Sequence, residues 1–152
     1  MPDRKPKLVG VNHIALEVGD VAEALEFYGR IFDFDLRGKN EDDAGRITMA
    51  FIDMGDQFIA LGQGREQGPD AHRHFGLVVD DRSTVADLAR AAGADMVEGP
   101  FLDFRDPWGN RIEVVDYRDI QFTKADGVMA KLGVAPDKSD EARQQIRDKG
   151  LG

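Results

Sequence analysis

The sequence of this 152-residue chain predicts an α+β fold made of two copies of one module, and three observations lead there. The phrase H-x-x-L-x-V-x-D occurs twice, as His13-Ile14-Ala15-Leu16-Glu17-Val18-Gly19-Asp20 and as His74-Phe75-Gly76-Leu77-Val78-Val79-Asp80-Asp81. Each copy is followed by a segment with apolar residues at helical spacing. Each of those is followed by a glycine-punctuated run of strand-like pieces. Strand, turn and helix repeated in the same order imply a duplicated structural unit.

The elements follow from local pattern. Residues 1–7 are polar with two prolines and are expected to fray. Residues 9–18 alternate as a strand, with Val9, Val11, His13, Ala15 and Glu17 on one face and Ile14, Leu16 and Val18 on the other. Asp20 is placed to cap a helix over 21–32, whose apolar stripe is Ala24, Leu25, Phe27, Tyr28, Ile31 and Phe32. A short strand over 34–37 and a hairpin of 46–54 with 57–61, turning at Gly55-Asp56, complete a first module over 8–61. Residues 62–71, rich in glycine, read as a linker.

The second module, over 72–118, repeats the plan: a strand at 74–79, a helix at 82–92 ending on Gly93, and strands at 96–97, 102–105 and 111–116. Asp106-Pro107-Trp108-Gly109-Asn110 makes the tight turn between the last two. Residues 119–152 fall outside the repeat and carry two candidate helices, 126–132 and 139–149, the second with a capping start at Ser139. This tail is read as packing on the body or on a partner subunit, or staying mobile.

Composition narrows the function. With 41% hydrophobic and 32% charged residues the chain is an ordinary globular domain, long enough to bury a core. A net charge of −9 disfavours nucleic acid and anionic membrane as partners, since both require basic patches. There is no cysteine, hence no thiolate metal site and no thiol nucleophile. No run of membrane-spanning length or hydrophobic signal core is seen, so a cytoplasmic location is expected.

Side-chain alternation then brings out three ligand-type residues. His13, His74 and Glu113 each oppose the apolar face of their strand and so point away from the helix of their own module. Converging inside a curved sheet, they would place two imidazoles and one carboxylate around a divalent metal with open positions, a set that suits Fe(II), Mn, Co, Ni or Zn. His72 shares the face of His74, but the L-x-V register favours His74 as ligand and leaves His72 as a nearby acid/base. Glu17, on the His13 face, is a second proton-transfer candidate. Arg105 and Arg111 are candidates for an anionic substrate group, and Trp108 for a stacking surface.

At these residues the chain resembles the vicinal oxygen chelate superfamily, which includes glyoxalase I, extradiol dioxygenases, methylmalonyl-CoA epimerase, fosfomycin resistance enzymes and bleomycin resistance proteins. The resemblance runs from Val9 to about Asp116 and is strongest in four pieces. They are Asn12-His13-Ile14-Ala15-Leu16, the Ala24-Leu25-Glu26-Phe27-Tyr28 stretch, the His74 to Asp81 phrase, and Phe104 to Glu113. It implies two βαβββ modules with mixed sheets curling around a shared cleft, and metal ligands at His13, His74 and Glu113. It also implies a homodimer, because many members complete their clefts by pairing or swapping modules.

The resemblance narrows the reaction without assigning it. Ala60 stands where glyoxalase I has a fourth-strand carboxylate, which disfavours that mechanism. Ala15 stands where the fosfomycin enzymes carry a threonine, and of the three histidines only His72 is left for a dioxygenase-type proton-transfer role. The expectation is a metal-dependent lyase, isomerase, transferase or dioxygenase acting on a small oxygen-chelating substrate. The rival is a bleomycin-resistance-type protein that binds a cationic small molecule without catalysis. A further alternative is a structural or regulatory homologue whose metal site is inert.

Overall fold

A computed structural model describes residues 4–152; residues 1–3, part of the segment expected to fray, lie outside the described residues. The first module runs β1 (His13–Val18), α1 (Val21–Gly29), β2 (Asp35–Glu41), β3 (Ile47–Asp53) and β4 (Phe58–Gln63). The second repeats it with β5 (Phe75–Val79), α2 (Arg82–Ala91), β6 (Asp95–Val97), β7 (Leu102–Arg105) and β8 (Arg111–Asp116). Each module forms a four-stranded mixed sheet, ordered β1-β4-β3-β2 and β5-β8-β7-β6. The first strand of each lies parallel to the last and the other pairings are antiparallel. The duplication predicted by the repeated phrase is therefore exact in topology.

Burial follows the predicted alternation. In β1, Leu16 and Val18 are buried while His13, Ala15 and Glu17 are exposed; in β8, Ile112 and Val114 are buried and Glu113 only half so. Asp20 and Asp81 cap their helices through the amides of Glu23 and Thr84. Gly93, just beyond α2, takes the left-handed conformation at φ +78°. The apolar faces of both sheets meet in one core. Phe104 of β7 sits 6.4 Å, ring to ring, from both Phe27 of α1 and Phe32. The open faces of the two sheets consequently point away from each other.

Four boundaries differ from the sequence expectation by two residues or more. β2, expected as a short strand over 34–37, runs to Glu41, where it still pairs with Ile47 of β3. Residues 9 and 11 are not in β1, and Val9 and Val11 are 99% and 62% exposed. The partner strand β4 begins opposite His13, so residues further back have no ladder to join. The first helix ends at Gly29, and the amides of Ile31 and Phe32 close its last turn on the carbonyl of Tyr28, which keeps both side chains against the core. β4 runs two residues into the expected linker, where Gln63 pairs with Val18.

The tail packs on its own chain. Lys124 donates to the carbonyl of Met54 (3.0 Å), to Gln57 (3.3 Å) and to Asp56 at the β3–β4 turn. Beside it, α3 (Asp126–Leu132) buries Met129 and lays Val128 and Leu132 against Gly55. A final helix, α4 (Asp140–Asp148), is capped by Ser139, whose own amide bonds to Arg118 in the 3-10 turn Tyr117–Asp119. Lys138 lies 3.4 Å over the Tyr117 ring, and desolvation there lowers its pKa. No helix among the described residues is long and apolar enough to cross a membrane.

Candidate metal centre

His13 and His74 occupy equivalent places at the starts of the two edge strands, β1 and β5, whose outer edges pair with nothing among the described residues. His74 falls one residue before β5. Each ring is held by its Nδ1. The Nδ1 of His74 lies 2.7 Å from the carbonyl of His72. A carbonyl only accepts, so this nitrogen carries the hydrogen and Nε2 is left outward. The Nδ1 of His13 is likewise 2.7 Å from Oδ1 of Asn12. Its ring lies flat on Phe58, with centroids 4.6 Å apart and planes 7° off parallel.

The outward Nε2 of His74 lies 3.3 Å from Oε2 of Glu113. A neutral ring held this way presents a lone pair to a carboxylate oxygen, two acceptors in contact. A cation between the two atoms would satisfy both lone pairs. Space exists for one: Gly76 faces Glu113 across the β5–β8 ladder, and a side chain there would touch only the backbone carbonyl of Glu113, at 4.0 Å.

Two of the three expected ligands thus come together, and the third does not join them within one chain. Among the described residues no three His, Asp or Glu side chains of the chain form a group able to hold a metal. The reason is topological. His13 lies on the open face of the first sheet and His74 with Glu113 on that of the second, and the shared core turns these faces apart.

The other expected site residues divide clearly. Glu17 is exposed on the His13 face, and its carboxylate has no hydrogen-bond partner among the described residues. His72 is exposed, and its carbonyl is what fixes the His74 ring. Arg105 and Arg111, expected to meet substrate, spend donors on the loop that leads to His74 and on carboxylates of the neighbouring strands. Arg105 bonds the carbonyl of Asp70 (2.7 Å) and Asp95 (3.0 Å). Arg111 bonds Asp103 (2.8 Å) and the carbonyl of Ala71. Trp108 is not an exposed stacking surface. Its indole fills the space beside Gly19, where a Cβ would lie 2.5 Å from Nε1.

Sequence reading missed the residue that organises this loop, Asp70. Its carboxylate receives Arg65 (3.4 Å), Arg73 (3.0 Å) and the amide of Arg111 (3.4 Å). No local pattern announces it, since its partners are spread from residue 65 to residue 111. Also missed was the role of the Asp106-Pro107-Trp108-Gly109-Asn110 turn as the lock between modules. Asp106 accepts from the Tyr28 hydroxyl (2.7 Å), and Asn110 donates to the carbonyl of Glu17 (3.0 Å). Gly109, at φ +92°, packs so closely on Pro69 that a Cβ would lie 2.6 Å from its Cα.

Paired βαβββ modules with a histidine at the head of each edge strand define a class of duplicated-module proteins with histidine-bearing open faces. The family follows from comparison. The model of the Glyoxalase/Bleomycin resistance protein/Dioxygenase superfamily matches residues 10–114, and the chain belongs to that superfamily. A probable lactoylglutathione lyase of Vibrio cholerae is 29% identical over 120 residues, 68% of this chain and 87% of that protein. A lactoylglutathione lyase of Neisseria meningitidis is 26% identical over the same shares. Among solved structures, the fosfomycin resistance protein FosX of Listeria monocytogenes superposes with a TM-score of 0.62 at 19% identity, over 72% of this chain and 93% of that one. FosX from that organism has also been solved with Mn(II) and sulfate. At that identity the likeness establishes the fold.

Proposed function

We propose that this chain is a divalent-metal-dependent enzyme of the superfamily, acting on a small substrate through neighbouring oxygens, with His13, His74 and Glu113 as the metal's protein ligands. The contact of His74 Nε2 with Glu113 at 3.3 Å, both acceptors when the ring is neutral, carries the reading. The donor set fits the group: imidazole nitrogens with their Nδ1 atoms already committed, and a half-buried carboxylate beside a glycine.

Because one chain keeps His13 apart, the complete site belongs to a homodimer. The free edges of β1 and β5 are the surfaces on which two copies would pair, setting His13 beside the partner subunit's His74 and Glu113. Leu8 and Val9, fully exposed just ahead of β1, supply apolar area for the same contact.

A bound divalent metal supplies Lewis acidity toward the substrate's oxygens. The chain's own residues hold and aim the ligands: Asn12 and Phe58 fix the His13 ring, and the His72 carbonyl fixes that of His74. Glu17 is the proposed proton-transfer group, with His72 as the alternative. Ala60, paired with Ala15 on the His13 face, offers no base of its own. Lactoylglutathione lyase chemistry would therefore have to use Glu17 or His72.

The test is metal analysis of the purified chain beside Glu113→Ala. One divalent ion per composite ligand set, which is two per dimer and one per chain, lost in the variant, supports the reading. If neither protein takes up metal after reconstitution, the enzyme reading fails. Tight binding of a cationic small molecule that survives chelation would then identify a binding protein.

A further inference from the structure

The open face of the first sheet carries an arginine that the structure does not use up. Arg37 of β2 reaches across β3 toward β4. Its guanidinium carbon lies 5.0 Å from the ring centre of Phe51 and 4.6 Å from that of Phe58. Phe58 is the same ring on which His13 is stacked. Arg37, Phe58 and His13 thus form one continuous stack leading to a proposed metal ligand.

The donors of Arg37 set it apart from Arg105 and Arg111. Nε bonds Asp53 at 2.9 Å, while the two Nη nitrogens have no hydrogen-bond partner among the described residues. Four N–H groups therefore point out from an aromatic platform that holds the guanidinium plane in place. A guanidinium so held is built to receive two oxygens of one oxyanion side by side. Holding such a group on a chain of net charge −9 requires a specific cation, because the general field repels anions. The floor beside it is small, with Ala15 and Ala60 paired next along the ladder from His13 and Phe58.

We infer that Arg37 is the substrate's anion-recognition residue: the substrate carries a carboxylate, phosphonate or phosphate group, separate from its metal-chelating oxygens, which docks on the Arg37 Nη atoms over Phe51 and Phe58. This rests on the proposed function in taking the open face of the first sheet as the substrate floor. Anion binding itself requires no metal, so the two readings fail separately.

The experiment titrates phenylphosphonate, phenylacetate and neutral benzyl alcohol into the metal-free protein and follows the Phe51 and Phe58 ring signals by NMR. Both anions are expected to shift those rings and the alcohol is not; the stronger anion identifies the oxyanion class. Arg37→Met should weaken anion binding by about tenfold, the loss expected of one charge-assisted contact, and Arg37→Lys should retain part of it. Asp53→Asn, which removes the competing carboxylate while leaving the cation, should tighten binding. If Arg37 serves only to pair with Asp53, Arg37→Met and Asp53→Asn both lower thermal stability and neither changes anion affinity. That result, or equal binding of benzyl alcohol, overturns the inference.

Discussion

Replacing Tyr28 by Phe removes one oxygen from the lock between the modules, and its effect follows from the contacts of Asp106. That carboxylate is 3% exposed and accepts from four groups. Oδ1 takes the amides of Trp108 (3.0 Å) and Asn110 (2.9 Å), and Oδ2 takes Asn110 Nδ2 (2.8 Å) and the Tyr28 hydroxyl (2.7 Å). Tyr28→Phe leaves the ring packing and three of the four bonds. A buried bond to a charged acceptor contributes about 1.5–3 kcal/mol, and the remaining donors soften its loss, so a destabilisation of about 1–3 kcal/mol is expected at pH 7.

The tyrosine also sets a pH signature. Burial first, and then the Asp106 charge, raise the Tyr28 pKa well above 10. A raised folded pKa gives stability that is complete below pH 10 and declines as pH climbs from 10 through the folded value. The variant has no such decline, so the gap between the two proteins closes in alkali. Urea unfolding at pH 7 should show a midpoint lower by about 0.5–1.5 M for a slope near 2 kcal/mol/M, with the difference shrinking toward pH 11. An unchanged midpoint at pH 7, or a gap that persists undiminished to pH 11, refutes the lock.

Arg111→Leu leaves Asp103, whose side chain is 6% exposed and has one oxygen already unpartnered, without its counter-charge. A loss of about 3–5 kcal/mol is expected by chemical denaturation, with loosening of the loop before His74 visible as faster amide exchange at residues 70–73. Met129→Ala empties the buried anchor of α3 and should cost about 2–5 kcal/mol, read by calorimetry; no change would show that the tail does not pack on the body. Hydrogen bonds from Thr84 and Ser83 hold the Asp81 carboxyl down at about 2. Its contribution is therefore full above pH 3.8 and lost as pH falls through about 2, so Asp81→Ala should be less stable than wild type at pH 6 and converge with it near pH 2.

Much of the fold was legible because its signals are local. Alternation in residues 13–18 and 111–116, the caps at Asp20 and Ser139, and the Gly55 turn each need only a few neighbouring residues to be read. The ends were less legible where the partner strand decides. Val9 alternates correctly and yet has no ladder, because β4 starts at Phe58. In the site, alternation correctly put His13, His74 and Glu113 on open faces, and pairing distances brought two of them together. Alternation does not say which way a whole sheet faces, and so the separation of His13 could not be read. Arg105, Arg111 and Trp108 show a second limit. Their residue types suit ligand contact, while their partners, Asp70, Asp103 and Gly19, are dispersed along the chain and were invisible to spacing.

The central claim, a metal site shared between two copies of the chain, is tested most directly by subunit mixing. His13→Ala and His74→Ala should each fold, dimerise and bind no metal. Mixed in equal amounts and allowed to exchange, half the dimers become mixed. Each mixed dimer holds one site lacking both histidines and one that is intact, so the bound metal should return to about a quarter of the wild-type content. No recovery on mixing, with exchange demonstrated by mass after isotope labelling of one variant, would contradict the shared site, and so would either single variant retaining its metal.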